Sequence, residues 1–135
     1  MSIPYCPTKA ESKATPVSSS QKTVLLIMEF EPIITIDLAD TFENLGIEVY
    51  TSRTFTEAEA LLDANPRINV LLTDVDVPWG SRSSELARIL REREAPFRVV
   101  ILAGPNTALN VLSPDTRIHH KPFNQDQLIE DVLGL

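Results

Sequence analysis

Val70-Leu71-Leu72-Thr73-Asp74-Val75-Asp76-Val77-Pro78 is the stretch whose reading decides the fold. An apolar run closed by a turn signal reads as a buried strand, here Val70 to Thr73, with Asp74 at its carboxyl end. In open parallel sheets that end of a strand is where ligands and chemistry gather. A second apolar run, Thr23-Val24-Leu25-Leu26-Ile27-Met28, leads straight into Glu29 and Glu31, and Lys121-Pro122-Phe123 follows a short strand near the end of the chain. Two strands that deliver carboxylates and a third element that delivers a lysine predict a small site for cations and phosphoryl groups.

The composition bounds what surrounds this site. With 135 residues, 43% of them hydrophobic, the chain is expected to hold one domain with a core on both sides of a sheet. A formal net charge of -7 argues against non-specific attraction to nucleic acid or anionic membranes. The single cysteine, Cys6, excludes an internal disulfide framework. No apolar run approaches the length of a bilayer span, and the first residues lack the pattern of a secretory signal, so a cytoplasmic location is expected. Residues 1–21 are rich in Ser, Thr, Pro and Lys with few large apolar side chains, which predicts a disordered tail before a folded domain over 22–135.

Beyond the tail, strand and helix signals alternate. Strand one covers Thr23 to Met28, and a helix starts near Pro32, with Ile34, Leu38, Phe42 and Leu45 as its buried stripe and Gly46 at its close. Strand two is Ile47 to Tyr50. The next helix is expected to open at Thr56, with Glu59 completing a capping box and Phe55 as staple, and to end near Ala64. Strand three is the opening stretch. A third helix is expected over Ser84 to Arg93, with its arginines interleaved with acids as a solvated face. Strand four is Arg98 to Leu102, a weak helical turn lies near Thr107 to Leu112, and strand five is Arg117 to His119. The last helix begins at Asn124, with Gln127 placed for a capping box, and buries Leu128, Ile129 and Val132. Such alternation implies a parallel sheet covered on both faces. For five strands the common doubly wound order is 2-1-3-4-5, with its switch point between strands one and three, the strands that end in Glu29 and Asp74.

Three blocks then stand in register on these elements: Leu26-Ile27-Met28-Glu29-Phe30-Glu31-Pro32, Leu71-Leu72-Thr73-Asp74-Val75-Asp76-Val77-Pro78 and Lys121-Pro122-Phe123. Together they resemble the signature blocks of response-regulator receiver domains, over essentially all of 22–135. The resemblance implies a flavodoxin-like fold with a short fourth helix. It implies that Asp74 corresponds to the aspartate that accepts a phosphoryl group from a histidine kinase, and Lys121 to the lysine that holds a phosphoryl oxygen. It implies Mg2+ at Glu29, Asp74 and the backbone carbonyl of Asp76, and a cis bond before Pro122.

The departures from the pattern are specific. Receivers carry an acidic pair after strand one; here the second position is Phe30, which offers a metal no oxygen. Ala103 stands at the switch Ser/Thr position and Ile118 at the switch aromatic position. A ligand shifts a conformational equilibrium only through contacts that differ between states, so losing the hydroxyl and the ring interrupts the usual route from phosphate to surface. Mg2+ binding is therefore expected to be weak or lost. Asp74 and Lys121 are read as a structural ion pair, with Phe30 and Trp79 placed to cover the pocket mouth. Adjacent His119 and His120 point to opposite faces of a strand and are not expected to share a metal.

The expected function is signalling through protein contacts in a two-component pathway, by a stand-alone, degenerate receiver and without enzymatic activity. The alternative is a competent phosphoacceptor or phosphate sink for a histidine kinase. The expected partner is a histidine kinase or another signalling protein. The fourth helix, strand five and fifth helix form the expected contact or homodimer face, with Ile118, His119, Asp126, Gln127 and Glu130. Asp74-Val75-Asp76-Val77 also resembles the nucleophile motif of haloacid-dehalogenase-type phosphatases. Those enzymes need a further acidic strand end after the lysine, for which residues 124–135 give no signal.

Overall fold

The computed structural model describes residues 22–74, 88–89, 92–93, 97–104 and 116–135. The expected tail, Asp76, Trp79, the turn over 107–112 and the third helix apart from Arg88, Ile89, Glu92 and Arg93 lie outside them. The described elements are β1 (Val24–Met28), α1 (Pro32–Asn44), β2 (Glu48–Ser52), α2 (Phe55–Ala64), β3 (Val70–Asp74), β4 (Arg98–Ala103), β5 (Arg117–His120) and α3 (Gln125–Leu133). All strand pairs are parallel, and the sheet order is β2-β1-β3-β4-β5, the doubly wound order read from the sequence. No described helix is long and apolar enough to cross a membrane.

β1 and β3 are apolar without alternation because both of their faces are covered. Along β1, Val24, Leu26 and Met28 pack with Phe55, Ala58 and Leu62 of α2. Leu25 and Ile27 pack with Leu38 and Phe42 of α1 and Leu128 and Val132 of α3. Every β1 and β3 residue is buried, including Thr73 and Asp74 at the carboxyl end of β3. The core thus clamps the two strands that carry the acids.

α1 starts with Pro32 in its first turn, and Gly46 beyond its end takes a left-handed φ of 85°. Leu45, expected on the buried stripe, is 52% exposed. It occupies the C-cap with φ -88° and ψ 3°, where the helix has already ended and helical spacing no longer aims the side chain inward. α2 starts two residues earlier than expected. Its N-cap is Thr54, whose Oγ1 accepts from the Glu57 N–H at 3.1 Å, while Glu57 Oε1 accepts from the Arg53 N–H at 2.8 Å. Phe55 becomes the first helical residue and is buried. At α3, Asn124 Oδ1 accepts from the Gln127 N–H at 3.0 Å, and Gly134 closes the helix at φ 77°.

Arg93 does not belong to a solvated face. Its guanidinium donates to the carbonyls of Leu62 at 2.9 Å, Asn65 at 3.1 Å and Ile68 at 2.9 Å, and it stands over the Phe97 ring at 5.3 Å. It ties the last turn of α2, through Leu62 and the C-cap Asn65, to Ile68 in the loop that follows. Arg88, in contrast, pairs with Glu59 of α2 and with Glu92, all three at least a third exposed. Arg93→Met is therefore expected to cost about 2 kcal/mol in urea unfolding, since it strips three carbonyls of charged donors. Arg88→Ala is expected to stay within about 0.5 kcal/mol of wild type. Equal costs for the two would show that the fork of Arg93 does not hold the loop.

Candidate functional site

The sheet topology assembles the site. Met28, the last residue of β1, pairs with Thr73, so Glu29 follows beside Asp74. Asp74 pairs with Leu102 on β4, and Ala103 pairs with His120 on β5. The Lys121 N–H then donates to the Ala103 carbonyl at 2.8 Å and continues the ladder by one residue. Lys121 thus begins two strands away from Asp74, roughly 10 Å in the hydrogen-bonding direction. The intervening β4 residue is Ala103, which carries nothing beyond Cβ. The lysine crosses this level and places Nζ 2.8 Å from Asp74 Oδ2 and 3.8 Å from Glu29 Oε1. The Lys121–Pro122 bond is cis.

Both carboxylates are buried, Glu29 at 1% exposed and Asp74 at 4%. Glu29 Oε2 accepts from the Glu31 N–H at 3.2 Å, whereas Oε1 is buried with no hydrogen bond among the described residues. Burial pushes the Glu29 carboxyl up from 4.5 to about 7; the Glu31 N–H and the Lys121 charge oppose this, and the Asp74 charge adds to it. For Lys121, burial pulls the ammonium down, but the Asp74 bond and the two acidic charges outweigh it and leave it raised. Among the described residues the arrangement is a buried pair of carboxylates that face the Lys121 ammonium. Chemically it offers a nucleophilic or ion-pairing oxygen on Asp74 and a point charge for an incoming anion on Lys121.

The other candidate residues fall as follows. Phe30 is half-buried, with the Arg53 guanidinium 5.3 Å from its ring centroid. Glu31 is exposed and contributes its backbone N–H to the pocket, not its carboxylate. Ala103 is fully buried, and Ile118 is partly buried against the core. Asp76 lies outside the described residues. No described group of three or more His, Cys, Asp or Glu side chains has the arrangement of a metal site.

His119 is not available to the expected contact face. Only 11% of its side chain is exposed, and Nε2 lies 2.7 Å from Asp131 Oδ2 on α3. His120, the last residue of β5, is exposed. Asp126, Gln127 and Glu130 stay on the exposed side of α3. The contact of Arg53 with Phe30 was missed in the sequence, although its position just after β2, at the same sheet end as the acids, is a usable signal.

No family model matches the chain. It is 31% identical over 110 residues to the phyllosphere-induced regulator PhyR of Methylorubrum extorquens, an alignment that covers 79% of this chain and 41% of PhyR. The chain thus spans about two fifths of the length of that relative. A response regulator receiver protein from Sinorhizobium medicae superposes with a TM-score of 0.69 at 23% identity, covering 85% of this chain and 97% of the other. SdrG from Sphingomonas melonis superposes with a TM-score of 0.67 at 26% identity, covering 85% and 98%. The chain has the flavodoxin-like fold of response-regulator receiver domains.

Proposed function

We propose that the protein is a receiver-type signalling protein of a two-component pathway, recognised by its partner through its folded surface without a phosphoryl group on Asp74. The observation that carries the reading is the Lys121–Asp74 pair at 2.8 Å, held at the carboxyl end of β3 beside Glu29 in a 2-1-3-4-5 sheet. That pair supports the receiver assignment, and the residues around it support independence from phosphate. Ala103 and Ile118 supply neither the hydroxyl nor the ring through which a phosphoryl group would move the surface. The lost charged hydrogen bond at position 103 alone is worth about 1.5–3 kcal/mol. The partner is a histidine kinase or another signalling protein, and the exposed Asp126, Gln127 and Glu130 of α3 belong to the candidate contact or self-association face.

The intact Asp74–Lys121 geometry favours a second reading, in which Asp74 is a working phosphoacceptor. Intact-protein mass spectrometry after acetyl phosphate and Mg2+ separates the two. No added phosphoryl mass on wild type, with equal binding of wild type and Asp74→Asn to a histidine-kinase phosphoacceptor domain, is the expected result. A mass gain that Asp74→Asn abolishes would establish the acceptor instead. Failure of both proteins to bind any of a panel of kinase domains would remove the kinase as partner.

A further inference from the structure

Mg2+ demands near-octahedral oxygen ligation and is held through carboxylates and carbonyls together with water. Among the described residues the ends of β1 and β3 bring two carboxylates together, Glu29 and Asp74, and both already face a cation. Lys121 Nζ is hydrogen-bonded to Asp74 and lies within ion-pair reach of Glu29. At the position where the resemblance asks for the next carboxylate, Phe30 presents a ring, and the ring carries the Arg53 guanidinium rather than an oxygen. Glu31, the other acid in reach by sequence, is exposed and turns its N–H to the pocket. Among the described residues the donor set falls short of a Mg2+ site, and Lys121 meets the charge of the diacid.

We infer that Lys121 is the resident counter-cation of this centre and that Phe30 keeps it from taking up a divalent metal. The centre is then an internal ion cluster that ties β3 to the segment after β5. Divalent cations neither complete it nor open it. This inference rests on the receiver-type reading for the meaning of position 30, and on geometry for the rest.

The test uses the full chain and Mn2+ as the probe, with free metal followed by electron paramagnetic resonance. Wild type and Asp74→Asn are expected to show the same weak, non-saturating uptake into the millimolar range, the background of surface carboxylates. Phe30→Asp is expected to gain saturable uptake at least about tenfold tighter than wild type, because it adds the missing oxygen ligand. Phe30→Asn supplies an oxygen without a third negative charge and keeps the test open if the aspartate unfolds the pocket; circular dichroism checks the fold of each. Saturable Mn2+ uptake by wild type that Asp74→Asn removes would overturn the inference. Folded Phe30 variants that both bind no better than wild type would overturn the role given to Phe30. Metal uptake without phosphoryl mass gain would sink this inference and leave the signalling proposal standing. Phosphoryl mass gain without metal uptake would do the reverse to its phosphate-independent part.

Discussion

Lys121→Met is expected to lower stability by about 3 kcal/mol, more than any other single change at the pocket. Methionine keeps the unbranched stem that crosses Ala103 and removes the ammonium. What is left is a pair of carboxylates, one 5% and one 1% exposed by side chain, deprived of the cation that both face. Breaking a buried ion pair from one side costs about 3–5 kcal/mol, and the 26% exposure of the Lys121 side chain places this case at the lower end. Asp74→Asn is expected to cost under about 1 kcal/mol, because Lys121 keeps Glu29 and the repulsion between the acids disappears. The double variant Asp74→Asn, Lys121→Met should then lie closer to wild type than Lys121→Met alone. Urea unfolding with a common m-value reads all three. A cost for Lys121→Met as small as for Asp74→Asn would mean that the ammonium is a bystander, and the internal counter-cation with it.

The sheet order and the acid–lysine meeting point were legible in the sequence because they follow from strand ends, and strand ends are marked by local signals. Glu29 and Asp74 each stand at the close of an apolar run, and once those runs are neighbours the acids must be neighbours too. The start of α2 was misread because two overlapping patterns, Thr54 with Glu57 and Thr56 with Glu59, both spell a capping box. Packing decides between them: starting the helix at Phe55 buries that ring against the core, which the later start had left as a staple. Arg93 and His119 were misread for a different reason. Their partners are carbonyls 25 to 31 residues away and a carboxylate 12 residues away, and no local spacing announces such contacts. The misassigned side chains are thus polar ones whose environment is made by the tertiary fold. The continuous apolar runs of β1 and β3 and the helical stripes that cover them were read from the chain itself, apart from Leu45 at the helix end.

The second large effect is a pH dependence with the opposite sign to ordinary acid denaturation. The folded chain holds the Glu29 proton up to about 7, whereas the unperturbed carboxyl releases it near 4.5. Between those values the native state binds one more proton than the unfolded state, so the stability of the native state falls as pH rises. The contribution is fully present below 4.5, is lost progressively through the window, and is gone above about 7. At 1.36 kcal/mol per unit the window is worth about 3 kcal/mol. Other groups titrate over the same range, so the informative quantity is a difference. Glu29→Gln keeps the shape and the oxygen that accepts from the Glu31 N–H but has no charge to bury. Its stability relative to wild type should change little below about pH 4 and rise by about 3 kcal/mol by about pH 8, where wild type must bury an ionised Glu29 beside Asp74. The comparison needs only urea midpoints at a series of pH values for the two proteins. A difference that stays flat across the window would mean that Glu29 ionises as an ordinary acid and that Lys121 fully satisfies two carboxylates. A rising difference would mean that the Lys121 ammonium does not offset the cost of ionising both buried acids, and that burial holds the Glu29 proton through the window.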